Sequence, residues 1–360
     1  MARRAGVTAP QDGPVVAVDA NGADLGPAEV AAGARLAAAR GARVLLFGPA
    51  AELEEPGPGV SVVNAPESVA KAADPVRAVR ATPQASIVRA ARAVAAGQAQ
   101  ALVCAGGTGA ALAAGLFNVK RAHGIYRPAL ALTLPVPGRP LTLLDVGANA
   151  DARREHLVQF AYMGAALAQC VLGVEHPRVA LLSNGEELGR GNALVVEVHG
   201  ELAGLAGAPG GSPMLRFVGN VEGGDLVAGA ADVVVTDGFT GNIALKLMEG
   251  VSDTVLRAVR DAAMSSPRSR LGGLLLAPAL RAFRARIDPE AHGGAYLLGL
   301  RSLGVVPHGR FGREGFAQAI LRAHRGIEQD LVGRTHRALA DAGGLRSSPA
   351  SVAGASLPAS

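Results

Sequence analysis

Residues 231–250, ADVVVTDGFTGNIALKLMEG, pass from an apolar run through polar residues and glycines into a helical pattern. The run at 233–235 is entirely valine, which is typical of a parallel strand that is buried on both faces. Asp237 follows this strand, and Gly238 and Gly241 permit a sharp turn because glycine adopts backbone angles that other residues resist. The stretch therefore predicts a strand, a loop and a helix of an α/β fold.

The start of this predicted helix carries groups that can bind an anion. Thr240 or Asn242 can cap its first turn, and Asn242 shares one helix face with Lys246 because the two are four residues apart. The Asp237 carboxylate, free helix N–H groups and a lysine would then meet where open α/β sheets hold ligands. An ordinary capped turn with a surface lysine explains a single stretch of this kind equally well. The rest of the chain therefore has to distinguish an anion-binding site from an ordinary turn.

Four other strand ends in the sequence are followed by small or polar residues and then by a helix. They are Asp19 after strand 15–19, the turn of Gly106, Gly107, Thr108 and Gly109 after strand 101–104, Asp145 and Asn149 at strand 141–146, and Asn184, Glu186 and Glu187 after strand 179–182. Because the carboxyl ends of parallel strands meet at one edge of a sheet, we expect all five ends to line one active-site crevice.

Strands alternate with helices along most of the chain, which predicts an α/β fold with three αβα layers and a mostly parallel sheet. A chain of 360 residues, 49% of them hydrophobic, is long enough to bury a large core. We expect one catalytic domain over residues 14–340, with disordered segments at 1–13 and 341–360. Residues 50–80 show only a weak pattern.

Composition excludes several classes of protein. Aromatic residues make up 3% of the chain and Trp is absent, which argues against nucleic-acid binding by base stacking, and no helix-turn-helix, zinc-finger or RNP pattern occurs. No segment approaches the roughly 20 apolar residues of a membrane span, and the first residues lack the apolar core of a signal peptide, so we expect a cytoplasmic protein. Cys104 and Cys170 lie in apolar runs that predict core positions.

The distribution of charge is more informative than the net charge of +5, because no acidic residue lies between Asp74 and Asp145. The basic residues of this interval are Arg77, Arg80, Arg89, Arg92, Lys120, Arg121, Arg127 and Arg139. A positive field that no acid opposes favours an anionic substrate or an acidic protein partner.

Residues 264–287 form a basic amphipathic pattern. Leu276, Leu280, Phe283 and Ile287 recur at helical spacing, and arginines flank them. A basic helix with a leucine-rich tip binds the surface of an anionic membrane. A helix that covers the core or a dimer interface predicts the same pattern, and the two interpretations stay open.

Familiar cofactor and nucleophile motifs are missing from the sequence. Gly107 and Gly109 begin a G-x-G pattern, but Leu112 stands at the third glycine position and no carboxylate follows about 20 residues later. No Walker motif, no G-x-S-x-G elbow and no metal-ligand cluster of histidines occurs. We therefore expect no cofactor and no metal, and a site of glycine loops, amides and a few charges suits phosphate and an oxyanion.

The order of the motifs carries more information than any one of them. VDANGADLGP, AGGTGA, LLDVGANAD, PRVALLSNGEE, GNVEGGD, TDGFTGNIALKLMEG and GGAYLLGL follow one another between residues 15 and 328. This succession closely resembles the bacterial phosphate acyltransferases of phospholipid synthesis, the PlsX family. The resemblance implies an enzyme that converts acyl-[acyl carrier protein] and inorganic phosphate to acyl phosphate, with a fold similar to phosphate acetyltransferases and isopropylmalate dehydrogenases.

The resemblance also implies a homodimer attached to the inner face of the cell membrane, and a downstream membrane enzyme that acylates glycerol 3-phosphate. The family's motif positions are occupied here by Asp19, Asn149, Glu186, Asn220, Asp237, Asn242, Lys246 and His308. The chain departs from the family pattern at Ala23, Ala85, Gly107, Ser183 and Asn184.

We expect a phosphate oxygen to attack the thioester carbonyl directly. Lys246 would orient phosphate together with an arginine, Asn149 or Asn242 would hold the oxyanion, and Asp237 or His156 would accept a proton. The expected substrate-binding residues are Asp19, Gly106, Gly107, Thr108, Gly109, Asn184, Glu186, Asn220, Gly238, Gly241 and His308. Two alternatives stay open: an acyl-enzyme on Cys104, and a non-catalytic protein that binds acyl carrier protein or a lipid surface.

Overall fold

The computed structural model describes residues 13–53, 55–136, 140–207, 214–286, 290 and 293–346. These residues form eleven strands of one sheet. The strands are β1 (Val15–Asp19), β2 (Arg43–Gly48), β3 (Val60–Asn64), β4 (Ala101–Cys104), β5 (Ala129–Leu134), β6 (Leu141–Leu144), β7 (Arg178–Leu182), β8 (Arg216–Val221), β9 (Val233–Val235), β10 (Ala295–Leu298) and β11 (Leu303–Val306).

Ten α-helices of the described residues pack around the sheet. They are α1 (Pro27–Ala39), α2 (Pro75–Ala81), α3 (Ser86–Ala95), α4 (Thr108–Ala114), α5 (Arg154–Leu167), α6 (Ala193–Gly207), α7 (Gly238–Met264), α8 (Pro267–Arg286), α9 (Arg313–Glu328) and α10 (Leu331–Asp341). A π-helical turn at Gly115–Val119 extends α4, another at Ala168–Leu172 extends α5, and a 3-10 turn spans Gly223–Leu226.

Several sequence predictions fall at the limits of the described residues. Arg139, Ile287 and the expected disordered residues 1–12 and 347–360 lie outside them. Asp341 ends α10, and the backbone N–H of Arg346 donates to the Gly124 carbonyl at 2.8 Å. The weak passage at 50–80 contains β3 and α2, which the sequence pattern did not predict.

The sheet has the strand order β3-β2-β1-β4-β11-β10-β5-β6-β9-β7-β8. The pairings β11–β10, β10–β5 and β5–β6 are antiparallel, and the other seven are parallel. The prediction of a mostly parallel sheet is confirmed.

The three antiparallel pairings separate the sheet into two halves of opposite direction. Each antiparallel pairing reverses the strand direction, and three of them lie between β11 and β6 in the sheet. As a result, β1, β4 and β11 run in one direction, whereas β6, β7, β8 and β9 run in the opposite direction. The carboxyl ends of the first group lie at what we term the first edge, and those of the second group lie at the opposite, second edge. The prediction that five strand ends meet at one edge is therefore wrong.

Side chains alternate between the two faces of the sheet and build a separate core on each. Val16 and Val18 belong to one core and Ala17 to the other. The first core also contains residues of α1, α5, α6, α9 and α10, whereas the second contains residues of α2, α3 and α4 and is packed by α7. The three αβα layers are thus confirmed, and we term the second side the α7 face.

Helices α7 and α8 extend beyond this core and pack against each other. Gly238 and Gly241, in the first turn, are the buried residues of α7, and none of the described side chains of α8 is buried. Leu274, Leu275 and Leu276 are 72%, 77% and 58% exposed. Within the described residues, no helix is both long enough and apolar enough to cross a bilayer.

Candidate active site

Asp237 lies at the second edge, where β9 ends and α7 begins. Its carboxylate accepts hydrogen bonds from the backbone N–H and from the hydroxyl of Thr240, both at 2.8 Å. Asp237 is therefore the N-cap of α7. The prediction of Thr240 or Asn242 as the cap is wrong, because the helix already starts at Gly238.

The loop that follows β6 is held by the buried carboxylate of Asp145. This carboxylate accepts hydrogen bonds from the backbone N–H groups of Leu130 (3.0 Å), Gly147 (3.1 Å), Ala148 (2.9 Å) and Asn149 (2.7 Å) and from the Asn149 side chain (2.8 Å). The Asn149 side-chain amide also donates to the Pro128 carbonyl at 2.7 Å. Burial raises the pKa of Asp145, and these hydrogen bonds act in the opposite direction.

The first turn of α7 packs closely onto this loop at two glycines. A Cβ atom at Gly241 would lie 1.9 Å from the Asp145 carbonyl oxygen, and one at Gly238 would lie 2.5 Å from the Asn149 carbonyl oxygen. The Gly238 N–H donates to that Asn149 oxygen at 2.8 Å. Asp145, Asn149, Asp237 and the two glycines thus form one packed unit that fixes the start of α7.

His156 lies in the first turn of α5, beyond the same loop. Its Nδ1 accepts a hydrogen bond from the Arg153 N–H at 3.1 Å, and its ring centroid lies 6.1 Å from that of Tyr126. Burial lowers the pKa of His156, and the positive charges of Arg127 and Arg153 lower it further, although Glu155 acts against them.

Three predicted substrate-binding residues follow β7 or lie on β8. Asn184 Oδ1 accepts a hydrogen bond from the Gly191 N–H at 3.0 Å, and Asn220 Oδ1 lies 2.9 Å from Nδ1 of His199. Glu186 is exposed. These residues lie in the outer part of the second edge, because β7 and β8 end the sheet on this side.

Asp19 ends β1 at the first edge and is buried in a polar cluster. Its Oδ1 accepts a hydrogen bond from the Asn21 N–H at 3.1 Å, and the Ser86 side chain also bonds to the carboxylate. The Asn21 amide donates to Ser86 Oγ at 2.9 Å and to the Ala65 carbonyl at 3.1 Å. Burial raises the pKa of Asp19 to about 7, and the bonds from Ser86 and Asn21 offset only part of this effect.

The glycine turn after β4 lies beside this cluster. A Cβ atom at Gly22 would lie 2.8 Å from the Gly106 Cα, and one at Gly107 would lie 3.0 Å from the Ala70 carbonyl oxygen. Three loops therefore touch through their backbones at the first edge. An open cleft next to them is lined by Asn21, Gly22, Ser68 and Lys71, among others.

His308 follows β11 at the same first edge. Its Nδ1 accepts a hydrogen bond from the Arg310 N–H at 3.2 Å, so Nε2 carries the proton of the neutral ring. Burial lowers the pKa of His308, and Arg310 and Lys246 contribute in the same direction, whereas Glu249 and Asp24 oppose them. Lys246 and Glu249 of α7 are thus close enough to His308 to affect its pKa.

Lys246 lies on the part of α7 that returns from the second edge toward the first. Its Nζ pairs with Glu249 Oε2 at 2.7 Å, and its side chain is 58% exposed. Nine residues separate it from Asp237, which corresponds to about 14 Å along a helix. The predicted convergence of the Asp237 carboxylate with Lys246 is therefore wrong, and Lys246 instead approaches His308.

Partly buried apolar side chains lie near the sheet centre on the α7 face, and we term this group of residues the central trough. All of these residues pack against the second core: Leu112 and Leu116 from α4 and its extension, Leu132 and Ala295 from β5 and β10, and Leu245 and Met248 from α7. Leu132 and Ala295 are direct partners in the β10–β5 pairing. The group therefore combines two paired central strands, β5 and β10, with residues of α4 and α7 that pack on the same face of the sheet.

The structure separates the predicted site residues into two groups. Asp19, residues 106–109 and His308 lie at the first edge, toward which α7 carries Lys246. The second edge holds Asn149, His156, Asn184, Glu186, Asn220, Asp237, Gly238, Gly241 and Asn242, whose Oδ1 would lie 3.8 Å from a Cβ atom at Gly147. Among the described residues, no three His, Cys, Asp or Glu side chains are grouped so that they could hold a metal ion.

Comparison with known proteins identifies the family. Residues 15–334 match the family described as "Fatty acid synthesis protein". The phosphate acyltransferase of Thermobifida fusca is 41% identical over 334 residues, which is 91% of each chain. That of Thermus thermophilus is 43% identical over 328 residues, 90% of this chain and 98% of the relative.

The chain belongs to the phosphate acyltransferase family. It is therefore an enzyme that transfers an acyl group to phosphate, as the resemblance between residues 15 and 328 implied.

Solved structures of low sequence identity share the fold of this phosphate acyltransferase. A phosphotransacetylase from Streptococcus pyogenes superimposes with a TM-score of 0.59 at 18% identity, covering 88% of this chain and 94% of that one. A branched-chain phosphotransacylase from Enterococcus faecalis gives 0.52 at 17% identity, with 87% and 99% covered. The expected similarity to phosphate acetyltransferases is thus confirmed at the level of the fold.

Three features of the site of this phosphate acyltransferase were not predicted from its sequence. Asn21 and Ser86 complete the Asp19 cluster, and Leu132 belongs to the central trough. Asn21 stands two residues after Asp19, and this proximity is the local signal that points to it. The trough has no local signal, because β5 and β10 come together over a long distance in sequence.

Proposed function

We propose that this phosphate acyltransferase moves a long-chain acyl group from acyl-[acyl carrier protein] to inorganic phosphate, and that the acyl phosphate serves the synthesis of phosphatidic acid. The observation that supports this most is the central trough, because its partly buried leucines provide apolar side chains for contact with a fatty chain. Lys246 and His308 approach each other beside it and provide a cation and an N–H donor.

The proposed reaction is a direct attack without an acyl-enzyme. An oxygen of HPO₄²⁻ attacks the thioester carbonyl carbon, the new C–O bond forms and the C–S bond breaks. The proton of the phosphate passes to the leaving thiolate, so no strong base is required. Lys246 binds phosphate in exchange for Glu249, and Nε2–H of His308 stabilises the oxyanion.

The second-edge residues have an indirect role in this proposal. Asp237, Asn149, Gly238 and Gly241 hold the start of α7 and thereby set the direction in which Lys246 points. A catalytic role for His156, an oxyanion contact for Asn242 and substrate contacts for Asn184, Glu186 and Asn220 stay predictions.

Cys104 is a poor candidate for the alternative acyl-enzyme. Its side chain is buried in β4. Burial raises the pKa of its thiol well above the usual range, and the neighbouring Asp19 charge adds to this, so the nucleophilic thiolate is disfavoured.

The central experiment is an assay with palmitoyl-[acyl carrier protein] and labelled phosphate. We expect a labelled product that hydroxylamine cleaves, as it cleaves acyl phosphates, together with one free carrier thiol per product. Release of free thiol without labelled product would show hydrolysis and would contradict the proposed acceptor.

Lys246 is tested by Lys246→Ala, with Arg257→Ala as the matched control, since Arg257 is an exposed cation further along α7. Loss of Lys246 should raise the KM for phosphate and reduce kcat/KM about 100-fold, whereas the control should remain near native. An unchanged KM for phosphate in Lys246→Ala would remove this residue from the mechanism.

A homodimer is part of the proposal. Phe239, Ile243, Leu247, Val251, Val255 and Val259 recur every four residues along α7 and are between 42% and 64% exposed. Such a row packs well against another helix. Sedimentation equilibrium should give the mass of a dimer for the native chain and of a monomer for Leu247→Asp, and a monomeric native chain would contradict the proposal.

Peripheral binding to the inner face of the cell membrane is also proposed, so that the product reaches a membrane enzyme that acylates glycerol 3-phosphate. Leu271 and Leu274–Leu276 are exposed on α8, and Arg268, Arg270 and Arg281 are exposed near them. The protein should float with vesicles that contain anionic lipid, and the triple change of Leu274–Leu276 to Asp should abolish flotation. Equal flotation of the two proteins would exclude this surface.

A further inference from the structure

The basic interval of the sequence forms a surface beside the cleft at the first edge. Part of this interval and the preceding Lys71 form what we term the α2 surface, whose exposed residues are Lys71, Val76, Arg77, Arg80, Phe117 and Lys120. The guanidinium carbon of Arg80 lies 4.3 Å from the centroid of the Phe117 ring, and this contact joins α2 to the π-helical extension of α4.

This surface is continuous with the candidate active site. Ala78 of α2 and Lys71 both line the first-edge cleft, and a Cβ atom at Gly109 would lie 3.0 Å from Pro75 at the start of α2. The extension of α4 places Leu116 in the central trough and the next residue, Phe117, on the α2 surface. A partner bound here therefore lies next to both the glycine turn and the trough.

Four of the six residues of the α2 surface are cations, and the exposed Asp74 at the start of α2 is the acid next to them in sequence. Residues 75–144 contain no acid, and the nearest carboxylate in sequence, that of Asp74, caps α2 by accepting the Arg77 N–H at 3.0 Å. Exposed cations interspersed with Val76 and Phe117 are suited to an acidic partner that also presents apolar side chains.

We propose that the α2 surface is the docking site for the acidic protein that carries the acyl chain as a thioester. The proposal rests on the function proposed above and adds the place where the donor binds. A carrier seated on α2 holds its thioester arm at the cleft, and the acyl chain enters the trough along α4. The positive field accelerates the encounter of the two proteins, and Phe117 and Val76 supply apolar contact.

The test uses the full chain with two donors, palmitoyl-[acyl carrier protein] and palmitoyl-phosphopantetheine, which has the same thioester but no protein. The variants are Arg77→Glu and Arg80→Glu, with Arg216→Glu as the matched control, because Arg216 is exposed on β8 at the far end of the sheet. Circular dichroism and sedimentation equilibrium show whether each variant keeps its fold and its mass.

Arg77→Glu and Arg80→Glu should each raise the KM for the protein donor about tenfold at low ionic strength, with kcat and the KM for the small donor unchanged. Arg216→Glu should behave as the native protein does. The docking site is excluded if all three variants show the same KM for the protein donor, if both donors are affected equally, or if the α2 variants change the mass, since the surface would then join two copies of the chain. A native protein that uses only the small donor overturns the proposed function itself.

Discussion

Two buried carboxylates end strands of the same sheet, yet their surroundings differ. Asp145, at the second edge, accepts four backbone N–H bonds and one from the Asn149 side chain. Asp19, at the first edge, accepts bonds from the Asn21 N–H and from Ser86. Burial raises the pKa of both groups, but at Asp19 it reaches about 7.

The carboxylate at the second edge has a structural role, whereas the carboxylate at the first edge can change its charge. Hydrogen bonds to Asp145 are used to shape a loop and to seat α7, so this carboxylate serves the fold. Asp19 has fewer donors and lies beside the glycine turn and the cleft, so its charge can change near neutral pH. Four predictions test this difference, from the largest expected effect to the smallest.

Replacement of Asp145 by Ala should have the largest effect. It leaves buried N–H groups without an acceptor, and we expect a loss of about 3–5 kcal/mol in the free energy of unfolding. Urea denaturation measures the loss, and Asp151→Ala at an exposed position of the same loop is the control. Equal midpoints for the two variants would show that the Asp145 bonds do not stabilise the fold.

Gly241→Ala should follow, because its Cβ atom would lie 1.9 Å from the Asp145 carbonyl oxygen. Separation of α7 from the loop should cost about 3 kcal/mol of unfolding free energy. Gly250→Ala on the same helix is the matched control, because a Cβ atom there meets no atom within 4 Å. Alanine at this helical position should stabilise the protein by up to about 1 kcal/mol. Destabilisation by both changes would indicate a helix effect rather than close packing.

The pH dependence of stability should reveal Asp19. Its pKa is raised from 3.8 in the unfolded chain to about 7 in the folded protein, so the folded state binds the proton more tightly. The stabilisation is complete below pH 3.8 and is lost as the pH rises to about 7.

Asp19→Asn should remove this contribution. The difference between its unfolding free energy and that of the native protein should change from pH 4 to 7 and stay constant above pH 8. His156 and His308 also make the stability depend on pH, because their pKa values are lowered and their stabilisation is lost as the pH falls. Both proteins contain these histidines, so the difference between the two unfolding free energies reports Asp19 alone. Parallel curves for the two proteins would show that Asp19 has an ordinary pKa.

Cys104→Ala should have the smallest effect, although Cys104 is the neighbour of Asp19 in the β1–β4 pairing. The change removes one buried sulfur, so we expect a loss of about 1 kcal/mol in stability and full acyl transfer to phosphate. Loss of transfer in a variant with native circular dichroism would instead support an acyl-enzyme on this residue.

Much of the local structure could be predicted from the sequence. Strands β1, β4, β7 and β9 and the helices that follow them carry the expected apolar runs and glycine turns. The prediction that five strand ends meet at one edge was wrong because the strand directions depend on the pairing of β5, β10 and β11, which come together only in the folded sheet. Alternation of Ala and Leu in β5 also fits a helix, and the four residues of β10 stand between glycines.

The candidate site was predicted residue by residue but not as an arrangement. Asp237 and Lys246 lie close in sequence, and helix geometry alone separates them by about 14 Å. Lys246 and His308 are 62 residues apart in sequence, and the return of α7 toward β11 brings them near each other. Motif order identified the family because it depends on the whole chain, whereas distances depend on the sheet topology.

The position of the β10–β11 hairpin has a consequence for the synthesis of the protein. These strands lie between β4 and β5 in the sheet but are translated more than 160 residues after β5 begins. The two halves of the sheet can thus form on the ribosome as separate units, each with an open central edge, until residues 295–306 emerge and join them. A nascent chain stalled before residue 295 should therefore require chaperone protection, and release of the hairpin should be the step that makes the chain resistant to protease.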